Sequence, residues 1–261
     1  MLCLYILLGS IAGLHRASYG AYKDAPYESF ILRRFFRELA IVVVAAILLF
    51  ILNLGKSEPL LILTLALFSL SYITTEVWKL FIRYKDEKMY RIPVRMHLGG
   101  KAVESHLIRL IFALVFLGII WGVYQIGMIL PETISITKKG MIMGFIIGLF
   151  EGIGGGYKDG TFEGFRTVTF IRSPILAAVG GFLMALLTNN PLFILLGLLA
   201  FERIMIETKK FFKKGYMPGK FIQGEMPYPE WEKRRKIFLI PYTLTLAGFI
   251  FLLIIYLLYD I

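Results

Sequence analysis

The residues best suited to chemistry lie in a charged segment that occurs twice in the chain. Residues 20–37 read GAYKDAPYESFILRRFFR and residues 155–172 read GGYKDGTFEGFRTVTFIR, with eight identities at the eighteen aligned positions. The matched charged residues are Lys23, Asp24, Glu28, Arg37, Lys158, Asp159, Glu163 and Arg172. A repeated segment of this kind indicates that the chain arose by duplication, and it marks where the polar groups of each half lie.

These residue types could bind a cation, bind an anion, or pair with each other. Carboxylates four residues apart lie on one face of a helix, so Asp24 with Glu28, and Asp159 with Glu163, could hold a hard cation such as Mg²⁺. A lysine and an arginine beside exposed glycine amides would suit a phosphate or a carboxylate. The alternative is an ion-pair network that ties each segment to the neighbouring helix ends. Mg²⁺ is the one cofactor that the sequence suggests.

Two further charges occupy equivalent positions of the duplication but differ in sign. Arg16 precedes the first copy, and Glu151 precedes the second at the position that the same alignment gives. An ionisable residue inside a membrane span indicates either a functional site or a structural ion pair. We predict that Arg16 and Glu151 pair where the two halves meet, and that they line one substrate site together with the repeated charges.

Other candidate groups carry less information. Glu76 and Glu207 could extend an acidic lining, but each lies three residues before a lysine, and such neighbours form ion pairs on helices. We therefore predict the pairs Glu76–Lys79 and Glu207–Lys210. The three histidines lack the spacing of a metal site, and the single cysteine excludes an intramolecular disulfide.

The elements that carry these charges are predicted to be membrane helices. Hydrophobic residues make up 57% of the 261 residues, and the mean hydropathy is +0.72. A soluble domain of this length has too small a core to bury so many apolar residues. A bilayer core of about 30 Å requires about 20 mostly apolar residues per helix. The apolar stretches that approach this length are 1–15, 38–55, 59–80, 107–130, 139–155, 173–189, 191–208 and 236–259. We predict an all-α, polytopic integral membrane protein with about eight transmembrane helices, the first of which is a retained span.

The net charge of +11 is explained by topology and does not indicate binding to nucleic acid. If residue 1 lies outside, Lys56, Lys138 and Lys139 are the only ones of the 29 lysines and arginines in external loops. Basic loops stay on the cytoplasmic side, so both termini are predicted to be external in a multi-pass protein of the cell membrane. The basic loops would attract anionic lipid head groups, which makes the bilayer the expected partner. The sequence does not decide between a monomer and a homo-oligomer.

The duplication extends beyond the charged segment. Residues 59–63 match residues 191–195, and later matches keep their order while the offset between them decreases. Each half then contains four spans, and because four is even, both halves enter the membrane in the same direction. We predict one integrated membrane domain made of two parallel four-helix repeats, 1–130 and 131–261, related by a pseudo-twofold axis along the membrane normal.

The scarcity of asparagine and glutamine beside many lysines and arginines is typical of a thermophile.

Glycine and proline positions predict the local structure of the spans. Glycines four residues apart let helices approach closely, and they predict that the first and fifth spans pack together at the pseudo-axis. These glycines are Gly9, Gly13, Gly144 and Gly148. Pro26 predicts a turn or a helix start in the first copy, and the three glycines at 154–156 predict unwound backbone before the second. A short interfacial or re-entrant segment on the cytoplasmic side is the simplest structure that meets both expectations.

Three classes of function fit these features. Parallel duplicated halves with intramembrane charges are typical of a transporter or channel, here for a small ion or an anionic solute bound between the repeats on the cytoplasmic side. Carboxylates at head-group depth would also suit an integral membrane enzyme that acts on a phosphorylated lipid or isoprenoid with Mg²⁺. A non-catalytic membrane scaffold is the third class. Because both copies keep the same charges, whereas an enzyme built by duplication commonly needs one active site, we predict transport and leave catalysis open.

Overall fold

The computed structural model of the protein describes residues 1–84, 95–98, 101–211 and 228–259, without the side chains of 158–163, 169, 210 and 211. These residues form eight α-helices: α1 (Leu2–Asp24), α2 (Leu32–Ile51), α3 (Leu60–Val77), α4 (His106–Ile129), α5 (Ile136–Glu163), α6 (Thr167–Leu187), α7 (Pro191–Phe211) and α8 (Trp231–Tyr259). A π-helical turn, Trp78–Ile82, continues α3. The strands β1 (His97–Leu98) and β2 (Lys101–Ala102) form a small antiparallel hairpin before α4. The prediction of a helical protein is confirmed.

Five helical segments of the described residues are long and apolar enough to cross a membrane. They are Leu60–Ile82, His106–Ile129, Ile136–Tyr157, Phe170–Leu187 and Trp231–Tyr259. The other three helices carry charges that lower their hydropathy, among them Arg16 in α1, Glu38 in α2 and Glu202 in α7. The chain is thus compatible with a helical membrane protein, while the predicted number of eight spans is not confirmed.

The chain forms two compact units, and the first is organised around α1. This unit contains α1, α2 and α8, with residues 60–72 of α3 and 204–211 of α7. Within it α1 packs against both α2 and α8. Small side chains line the contact with α2: a methyl group at Gly9 would lie 3.2 Å from Ala46 Cβ and 3.3 Å from Val42 Cγ1. Such small groups let the two helix backbones approach closely, which favours van der Waals contact between them.

The second unit is organised around α5. It contains α4, α5 and α6, with residues 73–77 of α3 and 191–203 of α7. Here α5 packs against both α4 and α6. A side chain at Gly144 would collide with the carbonyl oxygen of Ala177, and one at Gly148 would lie 2.6 Å from Pro174 Cα. Glycine is therefore required at these two positions by the close approach of α5 and α6.

The glycines that were expected to join the first and fifth spans have other neighbours. Gly9 lies against Val42 of α2, and Gly144 lies against Ala177 of α6. Each glycine contacts the helix that follows it in the chain, because a short connection already brings that helix alongside. The two contacts share one register, since the alignment that pairs Gly9 with Gly144 also pairs Val42 with Ala177.

The composition of the units differs from the predicted halves. Each unit combines the first two helices of one half with the fourth helix of the other: α1 and α2 with α8, and α5 and α6 with α4. The halves 1–130 and 131–261 describe a duplication of the sequence, and they stay a prediction.

The first copy of the charged segment forms a helix end, a turn and a helix start. The amides of Tyr27 and Glu28 donate to the carbonyl oxygen of Asp24, the last residue of α1, at 3.0 and 3.2 Å. The backbone is extended at Ile31, and α2 begins at the next residue. The turn predicted from Pro26 is confirmed, but the segment is a tight helix connection and not a separate interfacial helix, because α1 and α2 both continue into it.

The second copy differs from the expectation of unwound backbone. Helix α5 continues through the three glycines at 154–156 and ends at Glu163. A glycine inside a helix costs only about 1 kcal/mol, which a long helix with packed neighbours tolerates. Gly164 follows with a φ of +73°, the left-handed conformation that commonly ends helices. The extended backbone of Arg166 then leads into α6.

Candidate functional site

The turn of the first copy is held by two arginines from the start of α8. Arg234 donates to the carbonyl oxygens of Ala25 and of Glu28, the latter at 2.8 Å. Arg235 Nε donates to the carbonyl oxygen of Tyr22 at 3.2 Å. Carbonyl groups at a helix C-terminus lack helical partners, and cations are favoured there. The sequence indicated these arginines only as topological signals, whereas in the structure they close the end of α1.

The charges of the first copy are engaged with one another and with their neighbours. Lys23 Nζ lies 3.3 Å from the Asp24 carboxylate. Glu28 forms an ion pair with Arg34, and Arg37 donates to Glu38 at 2.8 Å. The alternative of an ion-pair network therefore describes this copy.

The predicted magnesium site receives no support from the first copy. Asp24 ends α1 and Glu28 lies in the turn that follows, so the two carboxylates are not on one helix face. In the part of the chain that the structure describes, no group of three or more histidine, cysteine, aspartate or glutamate residues could hold a metal ion. Asp159 and Glu163 lie in the last turns of α5, but their side chains are outside the described residues.

The remaining predicted residues of the second copy are placed by their backbone. Lys158 lies in α5 with its side chain outside the described residues, and Arg172 lies in the second turn of α6, partly buried. Their role in binding a substrate stays a prediction.

Arg16 has a partner that differs from the predicted one. Its Nε lies 3.5 Å from Glu38 Oε2, and both side chains are buried. The guanidinium also lies 5.2 Å from the ring centre of Phe68 and 5.4 Å from that of Tyr72. A buried arginine requires a nearby counter-charge, and the adjoining helix α2 supplies it. The structure thus gives Arg16 a partner within the first unit, and its pairing with Glu151 stays a prediction.

Glu38 could not be found by comparing the two copies. The aligned position of the second half is Ser173, so the acid occurs in the first half alone. The only sign of Glu38 in the sequence is a single acid directly after the arginines that begin α2 and before its apolar stretch.

Glu151 belongs to a cluster of charges in the second unit. This partly buried residue of α5 lies close enough to interact with Glu202 and Arg203 of α7 and with Glu76 of α3. Glu202 is only 2% exposed. The cluster thus brings two acids together beside one arginine, and Glu151 lies inside a candidate membrane span.

The predicted pairs of glutamate and lysine have different outcomes. Lys79 Nζ lies 3.1 Å from Glu76 Oε1, which confirms the first of them. The second depends on Lys210, whose side chain lies outside the described residues. Glu207 itself is buried in α7 at 3% exposure.

His15 forms a buried polar contact that the sequence did not predict. Its Nδ1 lies 2.9 Å from Thr245 Oγ1, and that hydroxyl lies 2.8 Å from the carbonyl oxygen of Pro241. A carbonyl only accepts, so the hydroxyl hydrogen is used there and Nδ1–H of His15 is inferred to be the donor to Thr245. The imidazole ring is fully buried and lies 4.4 Å from the ring of Tyr242. This contact ties α1 to α8.

Comparisons of the chain with protein-family models, with curated proteins and with solved structures give no match. The remaining evidence for its function is the charged residues inside each unit: Arg16 with Glu38 in the first, and Glu151 with Glu202 in the second.

Proposed function

We propose that the protein is a membrane transporter or channel for a small ion or an anionic solute. The observation that carries this proposal is the pair of acids Glu151 and Glu202 beside Arg203, which lie together in one unit with Glu151 inside a candidate membrane span. Ionisable groups inside a membrane are expensive to bury, and they commonly mark ion pathways and proton relays. A site with this donor set is supported better by the structure than one at the repeated segment, whose first-copy charges are paired locally.

The carboxyl pair favours a small cation over an anion as the transported or coupled ion. Glu151 and Glu202 bring two acids together beside a single arginine, Arg203. Two neighbouring carboxylates repel each other, and either a proton or a hard cation such as Na⁺ bound between them relieves this repulsion. Exchange of a proton for a cation at this pair is therefore the chemistry that we propose.

We also propose that the membrane domain consists of eight spans in two parallel repeats. Matching geometry supports this: the rings of Phe30 and Phe35 lie 5.8 Å apart, and those of their aligned counterparts, Phe165 and Phe170, lie 5.4 Å apart. The glycine contacts of α1 with α2 and of α5 with α6 also occupy aligned positions. The charged helices α1, α2 and α7 would then complete the eight spans, with their polar groups turned to protein partners.

The proposed cell-membrane topology places both termini outside. The end of α1 and the start of α8 lie together, as the bond from Arg235 to Tyr22 requires. The opposite ends of these helices, at Leu2 and Tyr259, are then on one side of the membrane. The lysines and arginines at positions 233–236 assign the joined ends to the cytoplasm.

Ion flux into proteoliposomes tests the proposed function. Purified protein would be reconstituted and challenged with gradients of Na⁺, K⁺, protons, phosphate and sulfate, while charge movement is recorded on a solid-supported membrane. We expect a current with at least one probe for the native protein and for the control Glu132→Gln, an exposed acid between α4 and α5. Glu151→Gln and Glu202→Gln should abolish it. Currents no larger than those of empty liposomes with every probe would overturn the proposal.

The alternative of a Mg²⁺-dependent enzyme acting on a phosphorylated lipid or isoprenoid, and that of a scaffold, stay predictions. The enzyme gains no support from Glu28, because Arg34 occupies its carboxylate.

A further inference from the structure

A cavity of about 240 Å³ opens at the surface of the first unit, where α1 ends and α8 begins. Its lining residues are Tyr22, Trp231, Glu232, Arg235, Lys236 and Leu239. Pockets for drug-sized ligands occupy about 300–1,000 Å³, so this cavity fits a smaller group such as a lipid head group. It lies at the helix ends that the topology places on the cytoplasmic side.

The wall of the cavity contains an arginine that is fixed before any ligand arrives. Arg235 is 8% exposed, and its Nε is tied to the carbonyl oxygen of Tyr22. Its guanidinium lies 4.9 Å from the ring centre of Tyr22 and 4.7 Å from that of Trp231. Held between two aromatic rings, it loses little side-chain freedom on binding, and a guanidinium matches the geometry of phosphate oxygens.

The mouth of the cavity provides a second cation and an apolar edge. Lys236 is exposed, and no ion pair joins it to another of the described side chains. Leu239, one turn further along α8, is 38% exposed and continues into the apolar surface of that helix. Tryptophan and tyrosine are enriched at the level of lipid head groups. The lining thus runs from basic groups through aromatic rings to an aliphatic surface. This is the order of polar and apolar groups in a phospholipid.

We propose that this cavity binds the phosphate group of an anionic phospholipid, with Arg235 and Lys236 as its ligands and the acyl chains along α8 beyond Leu239. The site is independent of the proposed transport function. It is more specific than the general attraction between basic loops and anionic membranes, because it is formed by one buried arginine in a shaped cavity.

Glu232 tests whether charge governs binding in this cavity. It is the one acid in the lining, and it is exposed at the first turn of α8. A carboxylate next to a bound phosphate repels it, so Glu232→Gln is expected to tighten binding, by about fivefold if the repulsion is similar to the attraction of one lysine.

Fluorescence of Trp231 can report binding in the intact chain. The substitutions Trp78→Phe and Trp121→Phe leave Trp231 as the only tryptophan among the three in the sequence. The protein in neutral detergent micelles would be titrated with phosphatidylglycerol, with phosphatidylcholine and with inorganic phosphate. We expect saturable binding of phosphatidylglycerol and much weaker binding of phosphatidylcholine. Lys236→Gln should weaken phosphatidylglycerol binding about fivefold, the effect of one basic residue at a lipid surface.

Lys233→Gln is the matched control, because it removes the same charge from the same helix turn without touching the cavity. We expect it to leave binding nearly unchanged. If inorganic phosphate binds with the same dependence on Lys236, the site also accepts soluble phosphates. If inorganic phosphate does not compete with phosphatidylglycerol, the site is specific for the lipid. Equal losses for the two lysine variants, or no saturable binding of any probe, would overturn the proposal.

Discussion

Replacing Gly144 with alanine tests the close approach of α5 and α6. The added methyl group would collide with the carbonyl oxygen of Ala177 and would lie 2.9 Å from Ala178 Cα, so backbone must move to admit it. Overpacking of this kind costs about 1–3 kcal/mol, while alanine gains about 0.8–1 kcal/mol over glycine in helix propensity. Because backbone must move, the packing cost lies in the upper half of this range, and we expect the free energy of unfolding to fall by about 1–2 kcal/mol after the gain in propensity is subtracted.

Alanine substitutions at two other glycines serve as a comparison for the stability change at Gly144. Gly154 lies in the same helix with no atom within 4 Å of an added methyl group, so Gly154→Ala should raise the free energy of unfolding by about 0.5–1 kcal/mol. Gly9 is intermediate, because its nearest neighbours would lie 3.2 and 3.3 Å away. For Gly9→Ala the propensity gain and the packing cost nearly cancel, and we expect a change within about 0.5 kcal/mol.

Unfolding of the three variants in detergent micelles, followed by circular dichroism against temperature, gives their order of stability. A change of 1 kcal/mol shifts the midpoint by about 2–4 °C in a domain of roughly this size. The expected order is Gly154→Ala above Gly9→Ala, with Gly144→Ala lowest. If Gly144→Ala were as stable as Gly154→Ala, the assigned contact between α5 and α6 would be wrong. A clear loss of stability in Gly154→Ala would instead favour the unwound backbone that the sequence predicts.

Two further predictions concern buried polar contacts in the first unit. Glu38→Gln leaves the charge of Arg16 uncompensated and should destabilise the protein by about 3–5 kcal/mol. The double variant Glu38→Gln with Arg16→Met should recover most of the lost stability. If the losses of the two single variants simply add, Arg16 and Glu38 do not form a pair. Thr245→Val removes the partner of His15 Nδ1 and should cost about 1–3 kcal/mol. Thr243→Val, at an exposed position of the same helix, should change stability by less than about 0.5 kcal/mol, and equal effects in denaturant unfolding would contradict the assigned bond.

The helices of this protein are largely predictable from its sequence, but their ends are not. Apolar stretches locate each helix, because a helix buried in a core or compatible with a bilayer needs them. Several helices begin before or end after these stretches: α2 begins at Leu32 and not at 38, since a helical backbone can include arginines whose long side chains reach water. The glycines at 154–156 give the opposite error, because glycine permits unwinding without requiring it.

Contacts within one helix were predictable, whereas contacts between helices were not. The pair Glu76–Lys79 follows from spacing alone. The partner of Arg16 lies on the next helix, α2, and that of His15 lies on the last helix. Both depend on which helices are neighbours, and a repeated sequence does not determine this, because each unit takes its fourth helix from the other half.

In the proposed transporter, Glu151 and Glu202 form the ion-binding site. The most direct test compares the initial current per reconstituted molecule in Glu151→Gln and Glu132→Gln proteoliposomes, under the gradient that drives the native protein, with equal unfolding midpoints as proof of folding. We expect native current for Glu132→Gln and none for Glu151→Gln. Native current in folded Glu151→Gln protein would contradict it.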